Sequence, residues 1–157
     1  MPEIINEFTL SANGTVVNHS YWLYEYNTAK QLVKKSLLGP NHPVACSVTQ
    51  YSYPAAGQIK EEVYSCDMTG NMRLISTTVK QFDNKKNPYM LLNFYQGITS
   101  LSKNNVIAHY ETNHNTGRKY NYTYSYEYNE DDFPVKVTFV SQGNNFPSYY
   151  YWTYNCQ

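Results

Sequence analysis

Aromatic and polar residues alternate strictly along several stretches of the chain. The clearest stretch covers residues 120–128, YNYTYSYEY, in which every second residue is a tyrosine. On a β-strand this spacing places all five rings on one face, whereas on a helix the rings would scatter around the axis. The same alternation occurs near both ends of the chain, at Trp22, Tyr24 and Tyr26 and at Tyr150, Trp152 and Tyr154. The pattern predicts that the chain is built mainly from strands.

Turn-forming residues separate the alternating stretches. Asn, Asp, Gly and Pro are combined at residues 13–14, 39–40, 113–117, 129–132 and 143–147. Short strands between regular turns predict an all-β fold, an antiparallel meander of hairpins that forms a rolled sheet or a partly closed barrel. A non-β structure is the alternative for two segments, residues 28–38 and 87–94. The length predicts a single β-rich domain, residues 1–157.

Charge and hydropathy exclude several classes of function. The 12 basic residues balance the 12 acidic ones, and charged residues make up 15% of the chain, against roughly 25% in an ordinary soluble domain. A nucleic-acid partner is not expected, because such proteins carry a basic surface. No apolar run approaches the roughly 18 residues of a membrane-spanning helix, so the chain is not expected to span a membrane. The unusual feature is the 18 tyrosines.

The three cysteines, Cys46, Cys66 and Cys156, match no metal or redox motif. Their spacings are unlike the paired Cys-x-x-Cys that zinc and thiol-disulfide sites use. One disulfide plus a free thiol and three reduced thiols both remain open from the sequence. We predict no metal site and no cofactor.

A loose repeat underlies the alternation. An aromatic strand ends in Asn or Asp, a four-residue loop supplies a glycine, and an apolar-basic return strand follows. Copies of the repeat begin at Tyr24, Tyr51, Tyr64 and Tyr126, and a truncated copy covers residues 152–155. Three copies depart from the pattern, because Lys30 and Asp132 stand where the others have glycine and Pro54 stands where the others have Asn or Asp.

The repeat, Tyr-x-Tyr-Asn/Asp-x-x-Gly-x-Leu-x-Lys, resembles the YD repeats of bacterial Rhs-type surface proteins. The chain as a whole resembles the uncharacterised YD-like lipoproteins of gut-type Gram-negative bacteria. The segments that carry this second resemblance are FDNKKNPY at 82–89, SKNNV at 102–106, YEYN at 126–129 and FPVK at 133–136. The resemblance implies a secreted or lipid-anchored protein of the bacterial cell surface or periplasm, in a family with no established activity. The first residues carry neither a secretory signal nor an anchor cysteine.

Catalytic motifs are weak. His109 and Glu111 echo the His-x-Glu of zinc deaminases, but no Pro-Cys-x-x-Cys follows. On a strand these two side chains share a face, with His114 in the following turn. The acidic segment 129–132 lacks the spacing of a calcium loop and is interpreted as a solvated turn. We therefore predict no catalytic residue, although a glycan hydrolase remains a third hypothesis for the function.

The aromatic faces are the main candidates for function. A tyrosine ring joins a flat apolar surface to a hydroxyl group, which suits sugar rings and protein partners, and equally suits the core of a rolled sheet. Trp22, Tyr149, Tyr151 and Trp152 are the predicted ligand-binding residues, because rings on both faces of the last strand cannot all be buried in a one-sided core. The predicted function is non-catalytic recognition of a glycan or a surface protein outside the cytoplasm. The alternative is a structural hairpin-repeat module that binds no small ligand.

Overall fold

The computed structural model describes residues 3–10, 12–39, 45–88, 102–143 and 146–154. The strands in these ranges are β1 Glu3–Leu10, β2 Val16–Tyr26, β3 Leu32–Leu38, β4 Ser47–Ser52, β5 Gln58–Cys66, β6 Met72–Phe82, β7 Val106–Asn113, β8 Lys119–Tyr128, β9 Pro134–Ser141 and β10 Ser148–Tyr151. No described segment forms a helix that is long and apolar enough to cross a membrane.

Each strand is hydrogen-bonded to the strand before it and the strand after it in the chain, in the order β1 to β10. The registers of the β1–β5 and β7–β10 pairs are all antiparallel. These pairings confirm the predicted all-β antiparallel meander. In the described part of the chain, β1 and β10 stand at the two ends of the strand order.

One of the two segments with a non-β alternative is now resolved in favour of a strand. Residues 32–38 form β3, which pairs with β2 on one side and with β4 on the other. The non-β interpretation was wrong here, because pairing on both sides satisfies the backbone hydrogen-bonding groups of this short segment. Of the second segment, residues 87–94, only residues 87 and 88 lie within the described ranges.

The chain divides into two compact units, which are described separately. The first consists of Met1–Tyr53, Lys60–Thr77 and Asn113–Gly117, and the second of Pro54–Ile59, Thr78–Thr112 and Arg118–Gln157.

The core of the first unit combines aliphatic and tyrosine side chains. Tyr24, Leu32, Val48 and Tyr51 are all buried. Burial and, after it, the negative charge of Glu61 raise the pKa of Tyr51, so its hydroxyl stays protonated at neutral pH. Tyrosine rings therefore serve here as core residues, as the sequence allowed.

The second unit has its own apolar core, and two of its tyrosines bond to backbone carbonyls. Val106, Ala108 and Val137 are buried, and Pro134 is fully buried. The hydroxyl of Tyr126 donates to the carbonyl of Val106 at 2.7 Å, and that of Tyr154 donates to the carbonyl of Pro134 at 2.7 Å. These bonds let large amphipathic rings pack without leaving a buried hydroxyl unpaired.

The four repeated loops share one backbone conformation at the position of the repeat glycine. The backbone φ angles are positive at Lys30 (59°), Gly57 (68°), Gly70 (88°) and Asp132 (66°). In the first loop the N–H of Lys30 donates to the carbonyl of Asn27 at 3.0 Å, and the N–H of Asn27 donates to the carbonyl of Gln31 at 2.9 Å. This is a three-residue loop with a left-handed last residue, one residue shorter than predicted.

A side-chain hydrogen bond closes both loops in which another residue replaces the repeat glycine. The amide oxygen of Asn27 accepts the N–H of Gln31 at 2.9 Å, and that of Asn129 accepts the N–H of Phe133 at 2.9 Å. Asn and Asp readily close turns with their own side chains. The asparagine directly before the loop therefore closes the turn even where the last loop residue is strained.

Replacing Lys30 with glycine is expected to raise the free energy of unfolding by about 0.5–1 kcal/mol. Relief of left-handed strain contributes about 1–2 kcal/mol, and the greater freedom of glycine in the unfolded chain offsets part of it. Gly117→Ala is the matched control and should lower the same quantity by a similar amount. Its φ is +69° and an added Cβ would meet nothing within 4 Å. Urea unfolding measures both, and a loss of stability in Lys30→Gly would contradict the strain argument.

The loop after β5 holds a carboxylate that is strongly hydrogen-bonded although exposed. Oδ1 of Asp67 accepts the hydroxyl of Thr69 at 2.7 Å and the N–H of Asn71 at 2.9 Å, and Oδ2 accepts the side-chain amide of Asn71 at 3.0 Å. The side-chain hydrogen bond from Thr69, followed by those from Asn71, lowers the pKa of Asp67 to about 2. All these bonds favour the ionised form.

The stabilising effect of Asp67 should disappear in acid. Because its folded-state pKa lies below the value of about 3.9 for an unfolded chain, the carboxylate stabilises the fold above about pH 4, and this stabilisation is lost as the pH falls towards 2. Asp67→Asn should therefore be less stable than the wild type at neutral pH and approach it in acid. Urea midpoints across this range measure the difference, with Asp131→Asn as the exposed-turn control. A difference that is constant with pH would contradict the assignment.

Candidate ligand-binding site

A ladder of three stacked rings crosses the last three strands, within the second unit. Tyr124 on β8 lies opposite Phe139 on β9, with ring centroids 6.0 Å apart and planes inclined by 29°. Phe139 in turn stacks on Tyr150 of β10, at 5.6 Å and 5°. Such offset ring pairs contribute about 0.5–1.5 kcal/mol beyond the area they bury. The ladder ends in an exposed ring, because Tyr150 is 58% exposed.

A cavity of about 370 Å³ opens beside this ladder. Its volume lies in the range of small-molecule sites. The aromatic lining residues are Tyr124, Tyr126, Tyr150, Tyr151 and Trp152. The polar lining residues are Lys80, Asn87, Asn105 and His109, and the apolar ones are Pro88, Val106 and Val137. The cavity thus combines flat rings with several polar side chains.

Hydrogen bonds fix the two asparagines of the polar wall. Asn105 is 4% exposed and Asn87 is 5% exposed. The side-chain amide of Asn105 donates to the carbonyl of Lys86 at 3.1 Å and to Oδ2 of Asp83 at 3.2 Å, and that of Asn87 donates to the carbonyl of Ser102 at 2.7 Å. The segments 82–89 and 102–106, singled out in the sequence, meet through these bonds. The wall is therefore positioned before any ligand arrives.

Asp83 is the centre of this hydrogen-bond network. Its Oδ1 accepts the backbone N–H groups of Lys85 at 3.0 Å and Asn105 at 2.9 Å. Its Oδ2 accepts the hydroxyl of Tyr128. Burial raises the pKa of Tyr128, and the hydrogen bond to the Asp83 carboxylate raises it further. The tyrosine therefore acts as a hydrogen-bond donor at neutral pH, not as a base.

The histidines occupy separate places. Nε2 of His109 lies 3.6 Å from Oε2 of Glu111, and its ring meets the ring of Tyr122 edge-on at 5.5 Å. The predicted shared face of His109 and Glu111 is thus observed. His114 follows β7 in a turn of the first unit, where its Nε2 lies 2.9 Å from Oγ1 of Thr77. Over the described ranges, no cluster of three or more His, Cys, Asp or Glu side chains is placed to hold a metal ion.

The acidic segment 129–132 forms the loop between β8 and β9. Oδ1 of Asn129 accepts the N–H of Asp131 at 3.1 Å, and Asp132 pairs with Nζ of Lys85 at 2.6 Å. The segment is a hydrogen-bonded turn with one partly exposed ion pair.

The four predicted ligand-binding residues are divided between different surfaces. Tyr151 and Trp152 line the cavity. Tyr149 is 50% exposed, and alternation along β10 puts its side chain on the other face of the strand from that of Tyr150. Nζ of Lys136 lies 5.7 Å from its ring centre. Trp22 belongs to the first unit and carries Nζ of Lys35 at 3.8 Å from its ring centre. The structure thus brings two of the four together.

Sequence reasoning missed most of the cavity lining. Tyr150 could have been predicted as a binding residue, because its alternation with Trp152 already placed both rings on one face. Asn87, Asn105 and His109 lie in segments that the sequence analysis singled out, but nothing in those segments placed them or Lys80 beside the C-terminal rings. No spacing rule links these polar residues to the C-terminal rings.

Comparisons with known proteins leave the family open. No protein-family model matches the chain, and no curated protein matches it. The chain is similar to a solved structure from Bacteroides fragilis described as a protein with unknown function. The identity is 14% over 87% of this chain and 79% of that one, with a TM-score of 0.34.

Proposed function

We propose that this chain is a non-catalytic recognition domain that works outside the cytoplasm and binds a glycan in the aromatic cavity. The observation that carries the proposal is the exposed ring of Tyr150, which ends the ring ladder at a cavity that hydrogen-bonded asparagines also line.

The chemistry of the cavity suits a sugar. The C–H face of a pyranose ring is flat and apolar and stacks on an aromatic ring, while its hydroxyl groups need hydrogen-bond partners. Tyr150 and Trp152 supply the rings, and Lys80 and His109 supply polar groups on the lining.

The lining favours binding over hydrolysis. Glycosidases require two carboxyl groups on either side of the scissile bond. Among the described residues that line the cavity, none is Asp or Glu. A site with rings and amides but without such a pair holds a sugar and leaves its glycosidic bonds intact.

The proposed place outside the cytoplasm, and the proposed kinship with YD-like lipoproteins, rest on the sequence resemblance. Support comes from the four repeated loops, which share a left-handed residue at the same position even where Lys30 and Asp132 replace glycine. A common hairpin conformation is what repeated copies of one motif should produce.

The test is native-gel retardation by a panel of soluble polysaccharides. We expect one polymer to retard the wild type, and Tyr150→Ala and Trp152→Ala to weaken the apparent affinity by about tenfold or more, through loss of ring stacking. Tyr149→Ala is the matched control, because it removes the same side chain at a similar exposure from a residue that does not line the cavity. It should be retarded like the wild type.

Two results would contradict the proposal. Equal losses in Tyr149→Ala and Tyr150→Ala would show that the cavity is not the binding site. The absence of retardation by any polymer would favour the structural hairpin module or a protein partner. Thermal unfolding of all three variants checks that the fold survives.

A further inference from the structure

Two of the three cysteines face each other across neighbouring strands of the first unit. Ser47 lies opposite Ser65 in the antiparallel register of β4 and β5. Cys46 directly precedes β4 and Cys66 is the last residue of β5, so this register, extended by one residue, sets them opposite each other. The N–H of Cys66 donates to the carbonyl of Cys46 at 3.3 Å. Directly opposed residues in an antiparallel pair share a face and have Cα atoms about 4.5–5.5 Å apart. This separation is within the range that a disulfide bridges.

We propose that Cys46 and Cys66 form a reversible disulfide that ties β4 to β5 when the protein meets a disulfide oxidant. The two residues are recorded as free thiols, one exposed and one half-buried. The sequence left open whether any pair of cysteines is joined. Among the described residues, the β4–β5 pairing brings these two cysteines together.

The reaction is a two-step thiol-disulfide exchange with a small-molecule disulfide such as glutathione disulfide. The Cys46 thiolate attacks one sulfur of the oxidant, the oxidant S–S bond breaks, and one glutathione thiol leaves. The Cys66 thiolate then attacks the Cys46 sulfur and releases the second glutathione. The two protein thiols lose two electrons, which reduce the oxidant to two thiols, and the two cysteine protons end on those thiols.

The surroundings of the two sulfurs assign the order of attack. Cys46 is exposed, with its Sγ 3.3 Å from the carbonyl of Leu37, so a dissolved oxidant reaches it first. Burial raises the pKa of Cys66, and the negative charges of Cys46 and Asp67 raise it further, against the opposing effect of Lys34. Cys66 is therefore the slower nucleophile and the one that resolves the mixed disulfide.

This site is independent of the proposed glycan-binding cavity. Cys46 and Cys66 belong to the first unit, whereas the residues that line the cavity belong to the second. Failure of either proposal leaves the other standing.

The test is oxidation of the 157-residue chain in a glutathione disulfide buffer, followed by thiol counting and peptide mapping. We use Cys156→Ser to remove the third thiol. This variant should lose both remaining thiols, its mass should fall by that of two hydrogen atoms, and the map should show a Cys46–Cys66 crosslink. The rate should not depend on protein concentration. Cys66→Ser in the same background should stop at a glutathione adduct on Cys46.

Three results would overturn the proposal. The first is that both thiols stay titratable while free dithiothreitol is oxidised in the same buffer. The second is a stable glutathione adduct that never proceeds to the intramolecular disulfide. The third is the formation of disulfide-linked dimers. In the wild type, a crosslink that includes Cys156 in place of Cys46 or Cys66 would also overturn it.

Discussion

Asp83→Ala is expected to lower the free energy of unfolding by about 3–4 kcal/mol. The carboxylate accepts hydrogen bonds from the backbone N–H groups of Lys85 and Asn105, the side-chain amide of Asn105 and the hydroxyl of Tyr128. A hydrogen bond to a charged group contributes about 1.5–3 kcal/mol, and these bonds share one acceptor, so their effects do not add in full. The donors of the buried Asn105 are left without their carboxylate partner.

Two further variants make this prediction specific. Asp131→Ala removes a carboxylate from an exposed turn position and should change stability by no more than about 0.5 kcal/mol. Tyr128→Phe removes one donor and should cost about 1–2 kcal/mol. Urea unfolding followed by circular dichroism measures all three. If Asp83→Ala is no more destabilising than Asp131→Ala, the network does not hold the segments 82–89 and 102–106 together.

Tyr51→Ala is expected to destabilise the first unit by about 3–5 kcal/mol, as large aromatic deletions from a core do. Tyr51 is 8% exposed, and its ring packs in the apolar core of that unit. Tyr51→Phe keeps the ring and should cost less than about 1.5 kcal/mol. The control is Tyr149→Ala, which removes the same side chain from a surface position where the residue is 50% exposed. Guanidinium unfolding separates these outcomes, and near-equal effects of Tyr51→Ala and Tyr149→Ala would show that the interior tolerates the loss.

The strands were predictable because their signal is local. In the stretch 120–128, the tyrosine face is the more buried one and the Thr, Ser and Glu residues at 123, 125 and 127 are exposed, as the alternation predicts. The left-handed residues were equally accessible in principle. Lys30 and Asp132 occupy the position that Gly57 and Gly70 occupy in the other copies.

The cavity was not predictable, because its two sides come from different parts of the chain. The rings of β8 and β10 are visible in the sequence, but the polar wall depends on the long-range bonds between Asp83 and Asn105. The surroundings of Trp22 could not be predicted from the sequence either. Nothing in its own segment indicates that the ammonium group of Lys35, from the next strand, lies over its ring.

The meander order has a consequence for how the chain folds. Neighbouring strands in the sheet are neighbours in sequence, and loops such as residues 28–30 are short, so most strand contacts form at low loop-closure entropy. Between the described strands, the longest interval of sequence is residues 83–105, from β6 to β7. Each doubling of loop length adds about 0.6 kcal/mol to the closure cost. The hydrogen bonds between Asp83 and Asn105 join the two ends of this interval, and we expect them to form after the folding transition state. Losing them should therefore accelerate unfolding more than it slows folding.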